Sequence, residues 1–263
     1  MTASSSKYHS GVVARIISSS DGGPLRRIIN GRSRRPTGTF ISVKGGFRAM
    51  PWESMKCELP TLQLAEVGTP IISLVSQPHR LEMIVRGQTR PLIYFPDLML
   101  TVEQDFADAL RTTPFGLAVI NWHARLPSKR GIRRVFVEVK DDNDSRVFDE
   151  LYDQKLQLAR AVYRRVDAEF ITIFRSRDLE CINLRPIKDI SLDNLTAVCV
   201  ADIDRAVERI EAQRGETSFG ELVDSLGGGR LGEAKAHALH IRRMISIDLS
   251  RPVQYASAVR RVR

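Results

Sequence analysis

The chain has 263 residues, of which 43% are hydrophobic, and a net charge of +9. That much apolar residue can fill one large core or two modest ones, which excludes a disordered chain. No apolar run approaches the ~18 residues of a membrane-spanning helix, and the polar, Ser-rich stretch from Met1 to Ser20 is not built like a secretory leader, so a cytoplasmic protein is expected.

Residues 1–50 are rich in Ser, Gly and Arg, punctuated by Gly22-Gly23-Pro24 and Gly45-Gly46, and read as an extended basic arm with little secondary structure. Up to residue 35 the arm carries Lys7, Arg15, Arg26, Arg27, Arg32, Arg34 and Arg35 against Asp21 alone. Residues 53–66 read as helical, with Pro60 either breaking the helix or starting a new one in its first turn. Ile71 to Val75 is a short apolar run ahead of Gln77-Pro78. Residues 80–86 and 91–100 read as strands either side of a Gly87-Gln88 turn. Residues 103–111 read as a helix and 112–131 as a loop, together an insertion.

Residues 135–140 (VFVEVK) form a strong strand, 147–165 an amphipathic helix and 169–174 another strand, which is the order of a parallel crossover. The helix places Phe148, Leu151, Lys155, Leu158, Ala159 and Val162 on one face. Beyond Pro186 the character changes. Residues 202–213 are helical, Ser218 and Glu221 form a capping box for a second helix to about Leu226, and 233–245 make a third. Short strands at 246–249 and 253–259 follow. Three helices and a hairpin are the order of a winged-helix domain. The tail is basic again: Arg242, Arg243, Arg251, Arg260, Arg261 and Arg263 face only Asp248, so the two ends hold the excess charge. Charge gathered in this way suits phosphate contact, since each neutralised phosphate releases counterions. Solvated tails are the plain alternative, and neither arm has the amphipathic helix of a membrane-surface binder. The domains expected are therefore a basic arm (1–50), a catalytic domain (51–186) and a winged-helix-like domain with a basic tail (187–263).

The three cysteines (Cys57, Cys181, Cys199) have no zinc-ligand spacing, and His237 and His240 have no further ligands near them in sequence. Chemistry concentrates elsewhere. On the strand 135–140 alternation puts Phe136, Glu138 and Lys140 on one face and three valines on the other. Glu and Lys on a well-buried strand need either each other or a ligand. Asp97 is an isolated acid between Leu92-Ile93-Tyr94-Phe95 and Leu98-Met99-Leu100, and acids disfavour strands. Asp97 and Glu138 suit Mg²⁺, with Mn²⁺ as a substitute, and the carbonyl of Val139 adds a third oxygen. Lys140 would lie beside the metal and orient or help deprotonate the attacking water, whose pKa the metal lowers.

Pro96-Asp97, then Glu138-Val139-Lys140 on a strand, then an amphipathic helix resembles the core of PD-(D/E)xK nucleases. Ser54, Glu58, Glu66, Val75, Gln77-Pro78 and Tyr94-Phe95-Pro96-Asp97 extend the resemblance to the TnsA family, whose members cut the 5′ ends of a transposon. The resemblance implies a restriction-endonuclease-like α/β fold, with a mixed sheet flanked by helices and a small C-terminal winged-helix domain. It implies Glu58 as a further metal ligand, Asp97 and Glu138 as strand acids, Lys140 as catalytic lysine, and Gln77 as structural. Its implied partners are double-stranded DNA at transposon ends, a DDE-type transposase subunit and an AAA+ regulator. The expected DNA contacts are Arg26, Arg27, Arg32, Arg34, Arg35, Lys155, Arg242 and Arg243. Lys155 reads either as a second cation near the scissile phosphate or as a snorkelling edge residue. Two other readings stay open: a stand-alone nuclease for defence or phage DNA processing, and a non-enzymatic DNA-binding scaffold.

Overall fold

The computed structural model describes residues 13–26, 36–85, 88–123, 131–143 and 150–262. It is a mixed α/β protein built on a four-stranded mixed sheet flanked by helices. The sheet holds β4 (Ile71–Ser76), β7 (Leu98–Glu103), β8 (Ile132–Lys140) and β9 (Ala168–Phe174) in that order. The first three are antiparallel neighbours and β9 is parallel to β8. The parallel step follows from the crossover helix α4 (Glu150–Arg165) between β8 and β9, because a parallel return needs a connection of this length.

Alternation on β8 works as the sequence implied. Val135 and Val137 are fully buried in the main core, with Val139 packed against it, while Phe136 faces a second apolar cluster. On that second side α4 turns in Tyr152, Leu156, Ala159 and Tyr163. Tyr163 stacks on Phe136 with ring centroids 4.0 Å apart and its hydroxyl pairs with His79 Nε2 at 2.8 Å. The face read from sequence is offset from this one: Leu151 and Leu158 are 74% and 38% exposed, and Phe148 lies outside the described residues.

On the first side lies α1 (Glu58–Val67). Pro60 is its third residue, where the first backbone N–H groups have no helical partner and a missing donor costs nothing; of the two readings of Pro60, the structure takes the second. The buried Lys44 closes the other end of α1, donating to the carbonyls of Ala65 and Gly68 at 3.2 and 2.5 Å. A cation suits the negative end of a helix.

Several expectations need correction. The segment read as a featureless arm contains β1 (Ala14–Ser18), paired antiparallel with β5 (His79–Met83), and the hairpin of β2 (Gly38–Ser42) and β3 (Arg48–Trp52). The β1–β5 pairing is set by backbone bonds across a long sequence separation, which local pattern does not display. The strand expected over 91–100 splits at Pro96 into β6 (Leu92–Tyr94), paired with β5, and β7. The helix expected over 103–111 is present, but the stretch read as loop over 112–131 contains a further helix. These are α2 (Gln104–Ala109) and α3 (Phe115–Ile120), which bury Phe106 and Phe115 in the main core.

The C-terminal part runs α5 (Leu184–Leu192), α6 (Val200–Ala212), β10 (Glu216–Ser218), α7 (Phe219–Ser225), α8 (Gly229–Ile241), β11 (Ile245–Ile247) and β12 (Ala258–Arg261). The three strands form an antiparallel sheet ordered β10-β12-β11. The capping box at Ser218 forms, with Glu221 N–H donating to Ser218 Oγ at 3.3 Å and the Ser218 N–H to Glu221 Oε2 at 3.4 Å. Its core is continuous with that of the large sheet: Met50, Leu64 and Val135 share one cluster with Leu222, Leu239 and Val259. The boundary expected at 186/187 falls inside α5, and that at 50/51 inside β3. Among the described residues, no helix is long and apolar enough to cross a membrane.

Candidate functional site

Asp97 sits where β6 hands the chain to β7. Three bonds fix it: its N–H donates to the Val137 carbonyl at 3.0 Å, its carbonyl accepts from Gln77 N–H at 2.8 Å, and Oδ2 accepts from Val139 N–H at 2.7 Å. Its carboxylate therefore lies against the β8 segment that carries Glu138 and Lys140. Gln77 takes a left-handed φ of 47°.

Glu138 is 5% exposed and Lys140 3%. Oε2 of Glu138 accepts from the Tyr94 hydroxyl at 2.6 Å, and Oε1 from the Tyr152 hydroxyl. Lys140 Nζ lies 3.8 Å from Glu138 Oε1 and 3.5 Å from the centroid of the Tyr152 ring. Burial, followed by the charge of Glu138, raises the Tyr94 phenol well above its ordinary value, so it remains a donor.

Glu58 opens α1 and accepts from the Glu53 N–H at 2.9 Å. Burial pushes its carboxyl up to about 7, with the charges of Glu53 and Glu138 adding to the shift. Burial also raises Asp97 well above the carboxylate range, and here Glu138 and Glu58 are the next causes. Asp97 thus feels Glu138 and Glu58, and Glu58 feels Glu138: the fold brings the three acids near one another, from a helix start, a strand junction and a strand interior. Like charges gathered in a buried space hold protons unless a cation balances them. In their present positions each carboxylate is turned to a local donor, and among the described residues no group of three His, Cys, Asp or Glu side chains is arranged as a ready metal cage. The donor set itself, all carboxylate oxygen, suits a hard cation such as Mg²⁺. For Val139 the structure gives an N–H committed to Asp97.

Of the cations expected to touch DNA, Lys155 comes to the rim of this site, its ammonium 5.9 Å from the ring centroids of both Tyr94 and Tyr152. Arg26 is paired with Glu53 at 3.2 Å and lies 5.5 Å from the centroid of the Phe95 ring. Arg27, Arg32, Arg34 and Arg35 lie outside the described residues. Arg242 and Arg243 are used internally. Arg242 donates to the Thr196 carbonyl at 2.8 Å, and Arg243 to the Thr69 carbonyl and to Glu103, both at 2.7 Å. Lys235 and His237 on α8 are bound to Asp202 and Asp193 in the same way.

Sequence reasoning missed Tyr152 and Glu53. Tyr152 is one of several polar residues on a helix with two plausible inner faces, so nothing local marks it. Glu53 acts through its backbone and its charge, which no motif reports. No family model matches the chain, and no curated protein does.

Proposed function

We propose that this protein is a metal-dependent DNA endonuclease that hydrolyses phosphodiesters at the Glu58–Asp97–Glu138–Lys140 site. The observation that carries the reading is that the buried carboxyls of Glu58 and Asp97 both feel the charge of Glu138, which has the buried Lys140 3.8 Å from its Oε1. Asp97, Glu138 and Glu58 would hold Mg²⁺, or Mn²⁺ in its place, which when bound supplies Lewis acidity and a water of lowered pKa. Tyr94 and Tyr152 fix the Glu138 carboxylate through both its oxygens. Lys140 lies beside Glu138, placed to attract a phosphate oxygen and to offset charge that builds on it. Val139 N–H holds Asp97 in register with the same strand.

Within this class, the resemblance to TnsA nucleases makes transposon ends the proposed substrate, with a DDE-type transposase and an AAA+ regulator as partners. What supports a restriction-endonuclease-like core is a mixed sheet with Asp97 just ahead of β7 and Glu138 and Lys140 on β8. The C-terminal order α6, β10, α7, α8, β11, β12 supports the winged-helix reading. Lys235, His237 and Arg242 are committed within the C-terminal part, and Arg243 bonds Thr69 and Glu103, which favours a role for Arg243 in bracing the nuclease half over reading bases. A DNA-binding scaffold without catalysis is favoured by one observation: each acid already has a donor. Anomalous scattering from Mn²⁺-soaked crystals decides between them. The expected result is a peak between Asp97 and Glu138 in the wild type and none in Asp97→Ala. No peak at high Mn²⁺, with both acids ordered, overturns the nuclease reading.

A further inference from the structure

A second feature borders the acid site without belonging to it. Between α4 and β9 runs a cleft of about 530 Å³ whose inner wall includes Lys140 and Tyr152 and whose outer wall includes Arg111, Arg160 and Arg177. A neighbouring cleft of about 380 Å³ shares Arg111, Arg160, Glu169 and Phe170 with it and continues to Arg133 and Arg164. Together they follow β9, which is the edge strand of the four-stranded sheet.

The chemistry of the lining is specific. Asp153, Gln157, Arg160 and Arg164 recur at helical spacing, so α4 presents one polar face along the cleft. Arg160 and Arg177 lie over the rings of Phe170 and Phe174, at 5.5 and 5.2 Å from their centroids. A guanidinium resting on a ring is held in orientation and loses little freedom on binding an oxyanion; Arg177 already donates to the Thr172 carbonyl at 2.7 Å. Arg111 and Arg177 also meet Glu169 and Asp178, at 2.6 and 2.7 Å. Among the described residues Arg160 makes no ion pair. Cations outnumber carboxylates along the cleft, and Lys140 of the acid site is among the residues that line it.

We propose that this cleft is the track for the phosphate backbone of duplex DNA, with Arg160 and Arg164 as its principal contacts and Arg111 and Arg177 flanking them. The proposal rests on the nuclease reading for the direction of the track, since a strand lying in it is delivered to Lys140. An acidic protein segment would use the same guanidinia, but it gives no reason for Lys140 of the acid site to line the cleft.

The test is fluorescence anisotropy of the full chain with a short labelled duplex in EDTA, over a range of salt. Arg160→Glu and Arg160→Glu/Arg164→Glu are compared with Lys188→Glu, a reversal of the same size on the exposed side of α5. These arginines are at the surface, so the variants are expected to fold. The slope of log K against log salt should become shallower by about 0.9 for each phosphate that the protein no longer neutralises, while Lys188→Glu stays near wild type. If the cleft variants bind like Lys188→Glu, the proposal falls, whatever the Mn²⁺ experiment shows. If they lose binding to poly-glutamate as fully as to the duplex, the cleft is a surface for acidic protein and the DNA assignment falls. Loss of duplex binding in a protein that takes up no Mn²⁺ would keep the track and remove the nuclease reading.

Discussion

Glu58 marks the electrostatic state of the site. Its carboxyl, ordinarily near 4.5, is pushed up to about 7 chiefly by burial, with Glu53 and Glu138 adding to it. The unfolded chain therefore gives up this proton first. Between about 4.5 and 7 the folded state binds more protons than the unfolded one, so stability falls as pH rises through that window. A shift of this size corresponds to roughly 3 kcal/mol as an upper bound, and the raised carboxyl of Asp97 acts in the same direction. Melting of the metal-free protein in EDTA should thus fall in temperature from pH 5 to pH 8. Glu58→Gln should flatten the fall, because the amide oxygen still accepts from Glu53 N–H while the charge is gone. Mg²⁺ should also restore stability more at pH 8 than at pH 5, since binding displaces protons. A Glu58→Gln protein whose pH profile parallels that of the wild type would remove Glu58 from the cluster. Asp97, Glu138 and Lys140 are legible in the sequence because an isolated acid in an apolar run and a Glu-x-Lys on a β-branched strand both break local rules. Tyr94 and Tyr152 as holders of Glu138 are not, because these three positions meet only when α4 packs on the sheet.

Elements are legible in proportion to how much of their stability is local. β8 alternates cleanly, and both of its faces follow from that alternation. α3 reads as loop in the sequence because six residues show no helical period. It is held instead by Asp178, whose Oδ1 accepts from Phe115 N–H at 2.9 Å across 63 residues. Gly232 in α8 makes the same point in reverse. Helix propensity alone would have Ala stabilise this position by about 1 kcal/mol. A Cβ there, however, would stand 2.4 Å from the Val223 carbonyl oxygen, which belongs to the backbone of α7 and cannot swing aside. Gly232→Ala should therefore lower stability by about 1–3 kcal/mol as α7 and α8 are forced apart, read as a lower urea midpoint with unchanged slope. A gain in stability would mean that the two helices are not packed as described.

At the scale of the molecule, the sequence suggests separate catalytic and winged-helix-like domains, whereas the main apolar cluster runs through both. Polar contacts reinforce the seam. Asn194 Nδ2 donates to the Ile41 carbonyl at 2.7 Å. Arg243, just past the end of α8, joins Thr69 and Glu103. Arg243 takes a φ of 60°, a conformation that usually selects Gly after a helix, so its side chain is what the position retains. Two parts that share a core and such a clamp should unfold together, and calorimetry is expected to show one transition with equal calorimetric and van't Hoff enthalpies. Arg243→Ala leaves Glu103 without its guanidinium, and should lower stability by about 2 kcal/mol while keeping one transition. Two resolved transitions in the wild type would instead make residues 187–263 an autonomous domain. The bracing role proposed for Arg243 would fall with that result, and the basic residues of this part would return as candidates for contact with DNA.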